Sequence, residues 1–478
     1  MRRSLLGLVV LWTLAAPALA ATPAPCRVDG LSHQALCGQV QRPLDPSRAT
    51  GPQIAVHYVV VPALARNKLS DPVVLLAGGP GQSAISLAGQ VMPLFARLNN
   101  RRDIVFVDQR GTGRSAPLVC EDPRRQSVAE QSDPALQLAQ LRVCRERLQA
   151  LPHGDLRHYT TPIAMQDLDA VRRAIGATQV NLVGVSYGTR AGLDYLRQFP
   201  RHVRRLVLDG VAPPDMVLPA SFASDAQAAF EALLAACEAE AACRRDHPGL
   251  RASWAAWLAR LPQPVTVQHP LTGQSETFTL TRAMAMSAVR GALYTPVLVQ
   301  ALPVAMHEAT LGRPQGLLTL GSSLTGRKGS GLAMGMHFSV VCSEDLPRLA
   351  TAPEAAAQDF GDGRVLYEKA CADWPRGELP AAFYQLGTSP AAALLLSGGL
   401  DPATPPRHGE RVAQALGPKA RHVVVPNAGH GVLGVGCAPE LLTRFIDAAD
   451  ESAALALDTR CVQGVPRPAA FQPVGSLK

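Results

Sequence analysis

The sequence predicts an α/β protein: a mostly parallel sheet flanked by helices, with a helical segment inserted between two late strands. Three observations lead there. Between Ile54 and Ala212, β-rich runs alternate with helical patterns, as a parallel sheet wrapped by helices requires. The apolar runs end in glycine-rich turns. From about Pro213 to Ala382 the chain turns Ala-rich and helical in period, with a Gly/Ser/basic loop at Gly321 to Gly331, before buried-strand runs resume at Ala391 to Ser397 and His422 to Val425. The expected division is a leader over 1–20, a first core part over 21–212, a mainly helical insertion over 213–385 and a C-terminal core part over 386–478.

Each core element has a local reason. Ile54 to Val61 reads as an early strand, and Val73 to Ala77 as a buried one that ends at Gly78-Gly79-Pro80-Gly81. Ile104 to Val107 leads into Asp108-Gln109-Arg110-Gly111-Thr112-Gly113-Arg114-Ser115. Asp167 to Ile175 carries Leu168, Val171 and Ile175 on one helical face. Val180 to Val183 is a strand running into Gly184-Val185-Ser186-Tyr187-Gly188, and Arg205 to Leu208 is the next, ending at Asp209-Gly210.

Composition narrows the class. Arg2 and Arg3 precede an apolar run from Leu5 to Leu14, and Ala18-Leu19-Ala20 supplies small residues at a cleavage site, the three parts of a secretory signal. That run is short for a membrane span of about 20 residues, so the expected mature protein starts at Ala21, is exported to the periplasm or medium, and keeps no stable membrane insertion. Ten cysteines, all beyond the leader, favour disulfides in such a chain. Spacing leaves connectivity open; sequential pairing into short local loops is the expectation (Cys26–Cys37, Cys120–Cys144, Cys237–Cys243, Cys342–Cys371, Cys437–Cys461). No C-x-x-C or Cys/His cluster has zinc spacing, so no metal site is expected. The formal charge is +8, spread in isolated arginine pairs with no basic stripe, which gives nucleic-acid binding no support.

The chemistry centres on Ser186. Its G-x-S-x-G setting suits a strand-to-helix elbow, where flanking glycines leave room beside a nucleophile. Two later strand ends supply partners: Ser397-Gly398-Gly399-Leu400-Asp401 and Asn427-Ala428-Gly429-His430-Gly431. The chain order Ser186, Asp401, His430 is that of α/β-hydrolases, each member just past a strand's carboxyl end. A neutral imidazole takes the serine proton near pH 7, and a carboxylate fixes its tautomer. Asp209 competes for the acid role, but Asp401 lies on the strand next before His430, and Asp209 is expected to brace a turn. The Tyr187 N–H, directly after the nucleophile, and the Gly79 N–H are the expected oxyanion donors; Pro80 has none to give. Gly111 to Ala116 fits a dinucleotide fingerprint in form, but Pro117 and Cys120 follow where a phosphate-binding helix should run, so it reads as a structural loop and no organic cofactor is expected.

Taken together, A-G-G-P-G, D-Q-R-G-T-G-R-S, G-V-S-Y-G-T, S-G-G-L-D-P-A-T-P and N-A-G-H-G resemble the secreted tripeptidyl aminopeptidase and proline iminopeptidase family of α/β-hydrolases. The resemblance implies a serine exopeptidase that removes residues or short peptides from free peptide N-termini, with Ser186 as nucleophile, Asp401 as orienting acid, His430 as base and the helical insertion as a lid. Many proline iminopeptidases carry His before Gly-Gly-Pro-Gly; here it is Ala77, so no preference for proline is inferred. In Val340-Val341-Cys342-Ser343-Glu344-Asp345, Glu344 resembles the family's acidic anchor for the substrate amine. The nearest rival is a secreted carboxylesterase or lipase with the same triad, since fold and triad do not choose between amide and ester.

Overall fold

The computed structural model describes residues 22–322, 331–352, 359–361 and 363–471. The expected leader, and most of the Gly/Ser/basic loop at 321–331, lie outside them. Eleven strands are present among the described residues: β1 Ala24–Cys26, β2 Ala35–Pro43, β3 Gln53–Val61, β4 Val73–Leu76, β5 Ile104–Val107, β6 Val180–Val185, β7 Val203–Asp209, β8 Gln263–Gln268, β9 Ser275–Leu280, β10 Ala392–Gly398 and β11 Ala420–Val425. Nine form one sheet, ordered β1-β2-β3-β5-β4-β6-β7-β10-β11. The run from β5 to β11 is parallel, and only the β1-β2-β3-β5 edge is antiparallel.

The central parallel strands are largely apolar because helices cover both faces. β4, β5 and β10 are buried at every position. One face packs under helices Thr161–Ala174 and Tyr187–Gln198. The other packs on helices Ala84–Asn99 and Ala438–Asp447. Seven strands expected from sequence, β3 to β7, β10 and β11, appear within a residue or two of their expected limits; β1 and β2, short on apolar alternation and mostly half-exposed, do not show in the pattern.

β7 pairs in parallel with β10, although residues 210–391 separate them. The intervening segment is mainly helical, as expected, and has a core of its own around Phe230, Trp254, Trp257, Met286 and Met306. It also contains the β8–β9 hairpin, which helical periodicity missed. Alternate residues of β8 are exposed, so the hairpin adds a thin ribbon rather than a second buried layer.

All five disulfides join the expected sequential pairs. Among the described residues no helix is long and apolar enough to cross a membrane.

The D-Q-R-G-T-G-R-S loop is structural. Among its residues, Ser115 closes back on Thr112 in an isolated bridge, and no phosphate-binding helix follows. Arg110 is fully buried and meets Asp167 through a fork, Nε to Oδ2 at 2.7 Å and Nη2 to Oδ1 at 2.9 Å. It also donates to the carbonyls of Leu44 (2.8 Å) and His158 (2.9 Å), stitching the loop to two distant segments. A buried pair of this kind is costly to split, because the remaining charge stays desolvated. Asp167→Ala should therefore lose about 3–5 kcal/mol in urea denaturation, with Asp167→Asn losing less. A loss below about 1 kcal/mol, the range of exposed pairs, would show that the loop is held by other means.

Candidate active site

Ser186 follows β6 and precedes helix Tyr187–Gln198, at φ +57° and ψ −124°. A non-glycine residue seldom adopts positive φ, and the strain must be held by its surroundings. The Ser186 N–H donates to the Asp209 carbonyl (2.8 Å), and the Thr189 hydroxyl donates to the Ser186 carbonyl (2.6 Å). The flanking glycines are required sterically. A methyl group on Gly188 would stand 2.0 Å from the Leu76 carbonyl oxygen, and one on Gly184 would stand 2.4 Å from that of Gly188.

Asp401 and His430 lie past the ends of β10 and β11, which are neighbours in the sheet. His430 Nδ1 is 2.8 Å from Asp401 Oδ2 and 3.0 Å from Oδ1. The carboxylate also accepts from the N–H groups of Ala403 and Thr404, both at 2.8 Å, and from the Thr404 hydroxyl at 2.8 Å. Burial resists the Asp401 charge, but His430 and these donors outweigh it and hold the carboxyl below its usual range. For His430, burial pulls the pKa down while the Asp401 charge and hydrogen bond raise it further, so the net shift is upward. Thr404 escaped the sequence reading although it stands inside D-P-A-T-P; a hydroxyl three residues after an aspartate is the available signal.

Asp209 braces the histidine loop, as expected. It accepts from Val432 N–H at 2.8 and 2.9 Å and from Leu433 N–H at 3.0 Å. Complete burial pushes its pKa up to about 6 despite those donors. β7 thus holds both partners: its last carbonyl takes the Ser186 N–H, its last carboxyl carries the loop after His430, and Gly210 lies against the His430 ring.

The Gly78-Gly79-Pro80-Gly81 turn reaches the same place. A methyl group on Gly78 would stand 3.1 Å from Ser186 Cβ, and Gly79 and Gly81 have φ of +114° and +111°. Tyr187 begins the elbow helix, whose amino end presents positive dipole to this region. The insertion closes on the same turn. Ala333 N–H donates to the Gly81 carbonyl (2.9 Å), and His337 Nδ1 is 3.3 Å from the Pro80 carbonyl oxygen. It also meets His430, whose N–H donates to the Tyr294 carbonyl (2.9 Å) and whose imidazole has the Tyr294 ring edge-on at 5.1 Å.

Glu344 requires a correction. It ends helix Met334–Glu344, is 0% exposed, and presents no surface to a substrate amine. Its oxygens accept from Thr161 N–H (2.7 Å), the Thr161 hydroxyl (3.0 Å) and Arg190 Nη1 (3.2 Å). Asp345 takes the rest of the Arg190 fork at 3.0 Å through both nitrogens. Burial pushes Glu344 up to about 7 against the pull of Arg190 and Thr161. The Thr161 hydroxyl is 2.7 Å from the Tyr187 hydroxyl, so this carboxylate supports the elbow helix from behind. The acidic pair looked available in sequence because its cation lies 154 residues away.

A family model described as "alpha/beta hydrolase fold" matches residues 71–239, and one described as "TAP-like protein" matches 357–461. The tripeptidyl aminopeptidase of Streptomyces lividans is 35% identical over 202 residues, 40% of this chain and 38% of that protein. The serine protease Hip1 of Mycobacterium tuberculosis is 30% identical over 40% of this chain and 39% of its own length. The match therefore spans well under half of these relatives. A Mycobacterium tuberculosis protein named carboxylesterase B is 29% identical over 80% of this chain and 78% of its own. Strand order, the turn at Ser186 and the first family model agree that the chain has the α/β-hydrolase fold, and its carboxyl-terminal part is similar to TAP-like proteins.

Proposed function

We propose that the protein is an exported serine exopeptidase that releases residues or short peptides from free peptide N-termini, with residues 213–385 acting as a lid. The observation that carries the chemistry is that Ser186, strained on its elbow, and the loop of a His430 ring oriented by Asp401 are both tied to Asp209 at the end of β7. The tripeptidyl aminopeptidase and Hip1 relatives support peptide bonds as the target. Five disulfides and the amino-terminal leader pattern support export.

In this reading Ser186 Oγ attacks the scissile carbonyl while His430 takes its proton. The Tyr187 and Gly79 N–H groups receive the oxyanion, and the acyl-enzyme forms as His430 protonates the leaving amine. Water, activated by His430, then frees the acyl fragment. Asp401 stays ionised throughout and stabilises the imidazolium. Neither a metal nor an organic cofactor enters. A second reading, a carboxylesterase, draws on the carboxylesterase B relative, which matches most of both chains.

Matched chromogenic amides of one to three residues, with free or acetylated N-termini, separate the two. Hydrolysis that needs the free amine and falls at least about 10⁴-fold in Ser186→Ala supports the exopeptidase. Indifference to acetylation, with simple esters turned over far faster, would establish the esterase instead.

The pH profile tests the base. Catalysis needs neutral imidazole, and the raised pKa of His430 places the acid limb of kcat/KM at a midpoint above the ordinary 6.5. Asp401→Asn removes the charge that raises it, so the midpoint should move down while kcat drops by about 10³–10⁴-fold. An unmoved midpoint would mean that another group sets that limb.

A further inference from the structure

One cation beside the triad has no part in the reaction just described. Arg290 stands on helix Arg282–Leu293, one turn before Tyr294, whose ring packs on His430. Its guanidinium lies 4.2 Å from the centroid of Phe222. Phe222 meets Tyr367 edge-on at 6.4 Å, and the Tyr367 hydroxyl is 3.0 Å from His337 Nε2, on the residue that touches the Pro80 carbonyl. Phe222, Arg290, Tyr294 and Tyr367 are all half-buried, as are Ser186 and His430. Their contacts form a half-buried aromatic chain from His430 toward the Gly78–Gly81 turn, with one positive charge in it.

That charge meets no counter-ion among the described residues. Arg290 Nε is buried and has no hydrogen-bond partner. No carboxylate comes within ion-pair distance of its guanidinium among the described residues, whereas the more deeply buried Arg110, Arg190 and Arg172 each have one. A desolvated guanidinium costs free energy unless an anion meets it, and its fork suits a carboxylate. The Phe222 face holds it in place and the Tyr294 hydroxyl shares a hydrogen bond with it, but neither neutralises its charge. Its field reaches His430, where it opposes protonation of the ring.

We propose that Arg290 is a specificity-determining residue that binds a carboxylate on the leaving fragment of the substrate, close to the scissile bond. The proposal rests on the serine peptidase reading. The side follows from charge: a free N-terminal ammonium on the acyl fragment is repelled by Arg290, while the leaving fragment is the one His430 must protonate. The carboxylate is either an acidic side chain just after the cleaved bond or the C-terminus of a short peptide.

Two peptide pairs distinguish these sources. One is an amidated peptide with Glu or Gln in the residues following the bond; the other is tetra-alanine with a free or amidated C-terminus. In one pair the wild type should favour the carboxylate by about 10–100-fold in kcat/KM, expressed mainly in KM, as expected for a charge-assisted pair. Arg290→Met should collapse that ratio to near one, and Arg290→Lys should retain part of it. Fluorophosphonate labelling of Ser186 in each variant reports that the site is folded. A wild-type ratio near one in both pairs overturns the proposal, and so does a ratio that survives Arg290→Met. If no peptide is cleaved but esters are, the peptidase reading has failed. 4-Acetoxybenzoate against its methyl ester then applies the same test to Arg290, and equal turnover overturns it.

Discussion

The site depends on one backbone constraint, the turn that carries Ser186 out of β6 at positive φ and straight into a helix. Such a conformation costs on the order of 1–3 kcal/mol and persists only when neighbours over-determine it. Here they do. Gly188 lies so close to the Leu76 carbonyl that any side chain would collide with it, so the elbow helix rests directly on the end of β4. The same contact draws the Gly78–Gly81 turn against Ser186. In a parallel sheet the loops at the carboxyl ends all emerge on one side. A strained turn at the end of β6 therefore meets the loops of β4, β7, β10 and β11 without any further device.

Three buried carboxylates around this turn do different work because their donors differ. Asp401 collects two N–H groups, a hydroxyl and the imidazole, and stays ionised below its usual range. Asp209, one strand over, takes only backbone donors and is raised by burial, which suits a brace rather than a counter-ion. Glu344 shares a fully enclosed guanidinium with Asp345 and holds the first free N–H of helix Thr161–Ala174. Breaking that cluster would leave charge in a dry interior, so it is part of the scaffold behind Tyr187.

The inserted segment is built into the site as well as over it. It supplies the carbonyl that receives His430 N–H and the N–H that binds the Gly81 carbonyl. His430 and the Gly78–Gly81 turn are thus both tethered to the insertion, one through Tyr294 and one through Ala333. A movement of this segment would alter the site itself as well as access to it.

The sequence by itself determined what depends on short-range backbone geometry. The strand-end turns that carry Ser186, Asp401 and His430 were legible because glycine turns announce themselves within a few residues. The five disulfides followed from proximity along the chain, and β4, β5, β6, β7 and β10 from unbroken apolar runs. Tertiary structure alone decided which groups meet across long separations. It paired Glu344 with Arg190 and so removed it from the substrate's reach, turned Asp209 toward the histidine loop, and brought His337 to the Pro80 carbonyl 257 residues away. It also left Arg290 beside Phe222 with no carboxylate in ion-pair reach among the described residues. Local torsions are written into neighbouring residues, whereas the partner of a buried charge is chosen by packing, and no window of sequence contains both members.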